Sequence, residues 1–345
     1  MKLSLAKTIF EASFDSQIAN RESRDADRTI PYAEATMGIG KTSMVQQITT
    51  ERDWGLYILS LASMDAAEVN GIIALIDGEA HRVMPFWLRR IHEMAASYEV
   101  VVLFLDELPQ APVANMNVAR QIINELRVGE FDLPHNVVLC AAGNRMSDRA
   151  GTNNMPSHLK DCLMFLEIDP DVEDAIAYMV ANGVHEDVTA YLRARPEFAV
   201  KFDRDANANP SFRSWDRVST ILSWGLSPVA EAEAIAGTVG RPATADFTGF
   251  RKMKANMPDP DGIISNPDGA EVPQDAMVLY AMSSGLAYRM TQGNAGNIVR
   301  YLKRLDQQEF AGFCIKDAVT RDPEIKKSEA VRQWIINGGA DLFAA

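Results

Sequence analysis

The run Ala35-Thr36-Met37-Gly38-Ile39-Gly40-Lys41-Thr42 puts two glycines, a lysine and two hydroxyls into one short stretch, a set suited to holding phosphate. Glycines at 38 and 40 let the backbone curl so that successive N–H groups face one point, and a helix starting just beyond adds partial positive charge there. Lys41 would then reach the β- and γ-phosphates of a nucleotide such as ATP, and the Thr42 hydroxyl would ligate Mg²⁺. With Ser43 included, residues Ala35 to Ser43 form the candidate ATP-binding segment. The pattern is that of a P-loop with alanine in place of the first glycine. The plainer alternative is a glycine-containing turn that only caps a helix.

A second constellation lies downstream. Val100-Val101-Val102-Leu103-Phe104-Leu105 is a continuous apolar run ending in Asp106-Glu107, as expected for a strand buried on both faces whose C-terminal end opens onto a ligand crevice. Asp106 would hold the magnesium shell, and Glu107 would orient and deprotonate an attacking water. Solvated acids at a helix start are the alternative. A third run, Val137 to Ala142, ends in Gly143-Asn144. The Asn144 amide could hydrogen-bond both that water and a γ-phosphate; otherwise it is a turn residue. In Pro210-Ser211-Phe212-Arg213-Ser214-Trp215, Arg213 could contact a γ-phosphate from a second domain, or could simply be a solvated arginine at a helix start.

These residues need elements to position them. Strand-like runs at Thr29–Glu34, Leu56–Leu61, Val100–Leu105, Val137–Ala142 and Met164–Ile168 alternate with helical patterns, predicting a P-loop α/β domain with a five-stranded parallel sheet over about residues 28–169. Residues 1–27 predict an N-terminal arm around a short amphipathic helix (Leu5, Ile9, Phe10, Phe14, Ile18). After Pro170 the patterns are helical: Val172–Ala181, Val188–Ala194, Trp215–Trp224, Val229–Ala236, Phe247–Asn256, Met277–Met290, Ile298–Leu305 and Val331–Ile336. An all-helical second domain over residues 170–345 follows. Between Met257 and Pro273, Pro258, Pro260, Pro267 and Pro273 with Gly262 and Gly269 predict a long surface loop without regular helix.

In this order the motifs resemble the MoxR group of AAA+ ATPases, in particular its short phage and bacterial forms, over about residues 28 to 290. Besides the phosphate loop and Asp106-Glu107, the resemblance is carried by Leu105-Asp106-Glu107-Leu108-Pro109-Gln110-Ala111-Pro112, Arg127-Val128-Gly129-Glu130, Ala141-Ala142-Gly143-Asn144-Arg145, Asp148-Arg149-Ala150-Gly151 and Pro210 to Trp215. Asp65 to Gly71 and Met84 to Leu88 are similar to that group's segments between the two Walker motifs. The resemblance implies a ring-forming, usually hexameric ATPase that remodels or activates a protein client, often beside a partner with a von Willebrand factor A domain. It implies sensor 1 at Asn144 and sensor 2 at Arg213. The group's segment after sensor 1 ends in leucine-x-x-arginine-phenylalanine, whose arginine serves the neighbouring subunit. Here Leu159-Lys160-Asp161-Cys162-Leu163 places Cys162 there, and a thiol cannot stabilise a transferring phosphoryl group as a guanidinium does. The trans-acting arginine is then either supplied from elsewhere, with Arg149 and Arg145 the nearest candidates, or missing.

Composition narrows the remaining choices. With 34 basic against 47 acidic residues and a net charge of −13, the whole-molecule field repels nucleic-acid phosphates. A protein client is therefore expected rather than DNA or RNA. A nucleic-acid motor on the same core, and an ATP-ordered assembly module with slow turnover, stand as alternatives. The three cysteines, Cys140, Cys162 and Cys314, are too few and too widely spaced for a disulfide framework or a zinc site. No apolar run reaches the ~20 residues of a membrane span, and the N-terminus does not read as a signal peptide, so a cytoplasmic location is expected.

Overall fold

Helix α1 (Leu3–Ala19) leads into β1 (Ile30–Ala35), α2 (Lys41–Glu51), β2 (Gly55–Ser60), α3 (Ala66–Asn70), β3 (Ile73–Ile76), β4 (Glu79–Arg82), α4 (Phe86–Ala95), β5 (Val101–Asp106), α5 (Val113–Glu125), β6 (Arg127–Val128), β7 (Phe131–Asp132), β8 (Val137–Gly143), α6 (Ser157–Lys160) and β9 (Leu163–Ile168). The structure is a computed structural model that describes residues 1–21, 29–145, 153–203, 205–254 and 257–339. The chain divides into two units, Met1–Pro170 and Asp171–Ala345.

Five strands of the first unit form one sheet in the order β2-β5-β8-β1-β9, and every neighbouring pair is parallel. Parallel neighbours require long crossovers, which the intervening helices supply. Each of the five expected strands is present, displaced by at most one residue at either end. Val101 to Leu105 are all fully buried, which is why β5 reads as an unbroken apolar run rather than an alternating one. β1 lies between β8 and β9 although the chain forms β2 and β5 after leaving β1 and before reaching β8. The strand order thus reverses beside β1, and its C-terminal end is where such a sheet offers a ligand crevice.

Two short hairpins were not anticipated. β3 and β4 pair antiparallel around Asp77-Gly78, both at positive φ (53° and 85°), the backbone that an Asp-Gly turn favours. β6 and β7 make a smaller one.

The N-terminal helix is packed as part of the first unit rather than standing apart as an arm. Phe10 and Phe14 are fully buried and meet edge to face with centroids 6.1 Å apart. The buried stripe is Ala6, Phe10, Ser13, Phe14 and Gln17, whereas Leu5, expected on it, is 53% exposed. Gln17 enters the interior because its amide is satisfied at both ends: Nε2 donates to the Leu139 carbonyl at 2.9 Å and Oε1 accepts the Leu139 N–H at 2.8 Å. A buried polar group so paired escapes the desolvation penalty that pattern reading assumes.

The second unit is helical and holds no strand among the described residues: α7 (Val172–Ala181), α8 (Glu186–Ala194), α9 (Phe212–Leu222), α10 (Pro228–Val239), α11 (Arg241–Lys254), α12 (Pro260–Ser265), α13 (Ala276–Arg289), α14 (Ala295–Leu302), α15 (Glu309–Arg321) and α16 (Glu329–Trp334). A P-loop α/β core with a five-stranded parallel sheet followed by an all-helical region is the architecture expected from the sequence. One expectation is corrected within it. The segment Met257–Pro273 is not helix-free, because Pro260 opens α12 at a first-turn position with Asp259 capping it, where proline lacks only an N–H the helix would not use. α15 lies outside the helical patterns expected from the sequence, although Phe310, Cys314, Ile315 and Ala318 give it a buried face. No helix among the described residues is long and apolar enough to cross a membrane.

Two polar assemblies organise this unit around its core. Arg193, with 4% of its side chain exposed, pairs with Glu173 and with the equally buried Asp317. Asp187 and Glu186 at the start of α8 face Lys254, Arg251 and Arg289. An aromatic cluster of Tyr191, Trp215 and Phe247, with centroids 5.1 to 5.5 Å apart, fills the space between α8, α9 and α11.

Candidate nucleotide site

The phosphate loop leaves the sheet at Ala35, the last residue of β1, and returns as α2 at Lys41. Gly38 (φ 78°) and Gly40 (φ 103°) both occupy backbone regions that side chains disfavour, so the curl inferred from the two glycines is present. Ile39 is buried and anchors the loop, whereas Met37 is 44% exposed at its tip. No side chain caps the α2 N-terminus. Its first-turn N–H groups have no acceptor within the helix, which is the electrostatic basis of an anion site.

Lys41, Thr42, Asp106 and Asn144 converge from three separate elements. The Lys41 ammonium donates to the Ala35 and Thr36 carbonyls at 2.9 and 3.3 Å and to Asn144 Oδ1 at 2.9 Å. Thr42 Oγ1 donates to Asp106 Oδ2 at 3.2 Å, so the two residues expected to share a metal already touch. Asp106 Oδ1 accepts the Glu107 N–H at 2.9 Å. A hydroxyl beside a carboxylate is a hard-oxygen donor pair that leaves most of an octahedral shell to water and phosphate oxygens, which suits Mg²⁺. Among the described residues no group of three or more His, Cys, Asp and Glu is arranged to hold a metal by itself.

Glu107 does not continue β5. It sits at φ 54°, ψ 34° in the left-handed region, an uncommon conformation for a residue with a side chain. Ser60 Oγ at the end of β2 donates to Glu107 Oε2 at 3.4 Å. Ser60 is opposite Asp106 in the β2–β5 register. It is a site residue that the sequence did not single out, since a lone serine after an apolar run carries no motif.

Asn144 is buried, 5% exposed, directly beyond the end of β8. Its backbone is held close to its neighbours: a Cβ on Gly143 would lie 2.2 Å from the Tyr32 hydroxyl oxygen and 2.3 Å from Pro109 Cδ. That Tyr32 hydroxyl is buried without a hydrogen-bond partner, and burial pushes its pKa up, with Glu34 adding to the shift. Tyr32, Glu34, Asn144, Lys160, Asp161 and Phe165 line a cleft of about 560 Å³, which no residue from Ala35 to Ser43 lines.

Among the remaining sequence candidates, Arg145 donates to the Ile168 carbonyl at 2.8 Å and to Asp169 Oδ1 at 2.6 Å. Arg149 lies outside the described residues. Cys162 is partly buried, and its thiol donates to the His158 carbonyl at 3.1 Å. Arg213 is exposed in the first turn of α9 in the second unit, a helix capped reciprocally by Ser211 and Ser214.

No protein-family model matches the chain, and no curated protein matches it. Solved structures do. A mutant of RuvB from Thermotoga maritima is similar at 14% identity over 81% of this chain and 82% of that one, with a TM-score of 0.39. A second mutant of the same protein is similar at 15% identity over 83% and 82%, also at 0.39. NtrX from Brucella abortus is similar at 12% identity over 97% of this chain and 67% of that one, at 0.39. The fold assignment itself stands on the strand order and loop geometry of this chain.

Proposed function

We propose that this chain is an ATP-hydrolysing AAA+ protein of MoxR type that assembles into a ring, of six subunits in the form the resemblance implies, and couples ATP hydrolysis to remodelling or activation of a protein client. The observation that carries the reading is the convergence of Lys41, Thr42, Asp106 and Asn144 at the C-terminal ends of β1, β5 and β8. In this reading the loop from Ala35 to Ser43 binds the ATP phosphates through its N–H groups, and the Lys41 ammonium exchanges its carbonyl partners for β- and γ-phosphate oxygens. Thr42 and Asp106 hold Mg²⁺, which neutralises phosphate charge when bound. Glu107, in its left-handed turn and oriented by Ser60, takes the proton of the attacking water. Asn144 holds that water and the γ-phosphate, and Arg213 is the lid residue that senses the phosphate.

The acidic balance of the chain, 47 Asp and Glu against 34 Lys and Arg, favours a protein client over nucleic acid, and a von Willebrand factor A domain protein is the partner class suggested by the resemblance. The decisive experiment measures phosphate release from ATP by the parent chain with Mg²⁺ and with chelator, with and without single- and double-stranded DNA, alongside sedimentation with and without nucleotide. Magnesium-dependent turnover, indifference to DNA and nucleotide-promoted assembly are expected. Turnover stimulated by DNA, with affinity that falls steeply as salt rises, would replace the protein-client reading by a nucleic-acid motor.

A further inference from the structure

Resting on that ATPase reading, we propose that Arg145 is a positioning residue of its own subunit's site: it straps the end of β8 to the end of β9 across the root of the phosphate loop and thereby holds Asn144 against Lys41.

The geometry follows from the strand order. β8 and β9 are not neighbours, since β1 runs between them, pairing Glu34 with Gly143 on one side and Ala35 with Ile168 on the other. Asn144 and Arg145 are the first two residues beyond β8. Strands two places apart in a sheet are separated by about 10 Å, a gap the long arginine side chain covers. The Arg145 guanidinium donates to the carbonyl of Ile168, the residue that faces Ala35, and to the carboxylate of Asp169. It crosses over the point where the chain leaves β1 to become the phosphate loop. The second oxygen of Asp169 accepts from the Met1 ammonium at 3.2 Å. Arg145, foremost, and that ammonium hold the Asp169 carboxyl below its ordinary range, so the acceptor stays ionised through neutral pH.

Two consequences distinguish this role from the one considered on sequence grounds. Arg145 Nη2 is engaged by two acceptors in its own chain, which favours a role within its own subunit over replacement of the arginine missing at Cys162. An anchor one residue after Asn144, together with the tight passage of Gly143 over Tyr32 and Pro109, fixes both flanks of the sensor. Its carboxamide is thus aimed by backbone constraint, without a side-chain partner other than Lys41 being required.

The test compares Arg145→Gln, Arg145→Lys, Asp169→Asn and the double variant Arg145→Gln/Asp169→Asn in the full chain. With misplacement as the mechanism, Arg145→Gln lowers kcat for ATP about tenfold and moves KM less than about twofold. Arg145→Lys recovers part of the loss, and the double variant is no slower than Arg145→Gln because both act on one bond. Mixing Arg145→Gln with Glu107→Gln, which supplies an intact Arg145 but no turnover of its own, restores nothing. Parent-like kcat in Arg145→Gln, or activity regained on mixing, would overturn the proposal, the latter in favour of a trans role. Amide exchange at Asn144 and Arg145, measured without nucleotide, rises in Arg145→Gln if the strap holds this end, and unchanged exchange overturns it independently of any assay of hydrolysis. Absence of turnover in the parent chain counts against the ATPase reading alone and leaves the exchange measurement to decide the strap.

Discussion

The Lys41 ammonium and the Asn144 carboxamide oxygen lie 2.9 Å apart, although 103 positions separate them in the chain. One belongs to the loop that would bind phosphate and the other to the strand end that would sense it, so in the proposed reading the contact would join binding to turnover in a single hydrogen bond.

The two residues should nevertheless fail differently. Lys41→Ala removes a charged donor and should weaken nucleotide binding about ten- to a hundredfold, the equivalent of roughly 1.5–3 kcal/mol for a hydrogen bond to a charged group. Asn144→Ala should keep affinity within a few-fold and lower kcat about ten- to a hundredfold, since its work is done as charge develops. Titration calorimetry with parallel turnover assays separates the pair, and equal loss of affinity in both would refute the division of labour.

Glu107→Gln should bind ATP as the parent does and lose turnover by about 10²–10⁴-fold, the range for removal of a general base. Ser60→Ala should cost less than about fivefold, because a long hydrogen bond of 3.4 Å from a neutral hydroxyl contributes under about 1 kcal/mol. Turnover in Ser60→Ala as low as in Glu107→Gln would show that the hydroxyl does more than orient the carboxylate.

Gly143→Ala should destabilise the first unit by about 1–3 kcal/mol, the usual cost of forcing an extra carbon into close packing, because the new methyl would overlap Tyr32 and Pro109. Tyr32→Phe should be neutral or mildly stabilising on its own, since the hydroxyl it deletes is buried and unpartnered. Placed together with Gly143→Ala, it should restore part of the lost stability in urea unfolding. Additive losses would mean that Pro109 alone sets the clash.

Acid should undo the second unit through Asp187. Burial pushes its carboxyl up, but Lys254, His185 and Arg251 outweigh that and hold it below the ordinary value of 3.8. A carboxylate depressed in the folded state stabilises fully above its unfolded pKa, and that contribution is lost as pH falls through the lower folded value. Asp187→Asn should therefore lower stability at neutral pH and flatten its decline below about pH 4. An unchanged acid limb in thermal melts between pH 2 and 6 would show that other carboxylates govern it.

The parts whose physics is local are legible in the residues alone. A loop with glycines at 38 and 40 can curl whatever surrounds it, and an apolar run such as Val101 to Leu105 has to be buried on both faces, so the five strands and the phosphate loop could be read without coordinates. Pro260 was misread because a proline that blocks a helix interior is welcome at its first turn. Gln17 was missed because a buried amide is affordable only when both of its ends find a partner, and that partner, Leu139, is far along the chain. Ser60, and the contacts of Arg145, which the sequence offers only as a substitute for the arginine missing at Cys162, were beyond reach for the same reason. Their roles depend on which strands stand side by side, and the order β2-β5-β8-β1-β9 comes from the packing of whole elements rather than from any local run of residues. Only the tertiary structure places Ser60 beside Glu107 and carries Arg145 over β1 to Asp169, because hydrogen bonds between distant segments are decided by strand order and register.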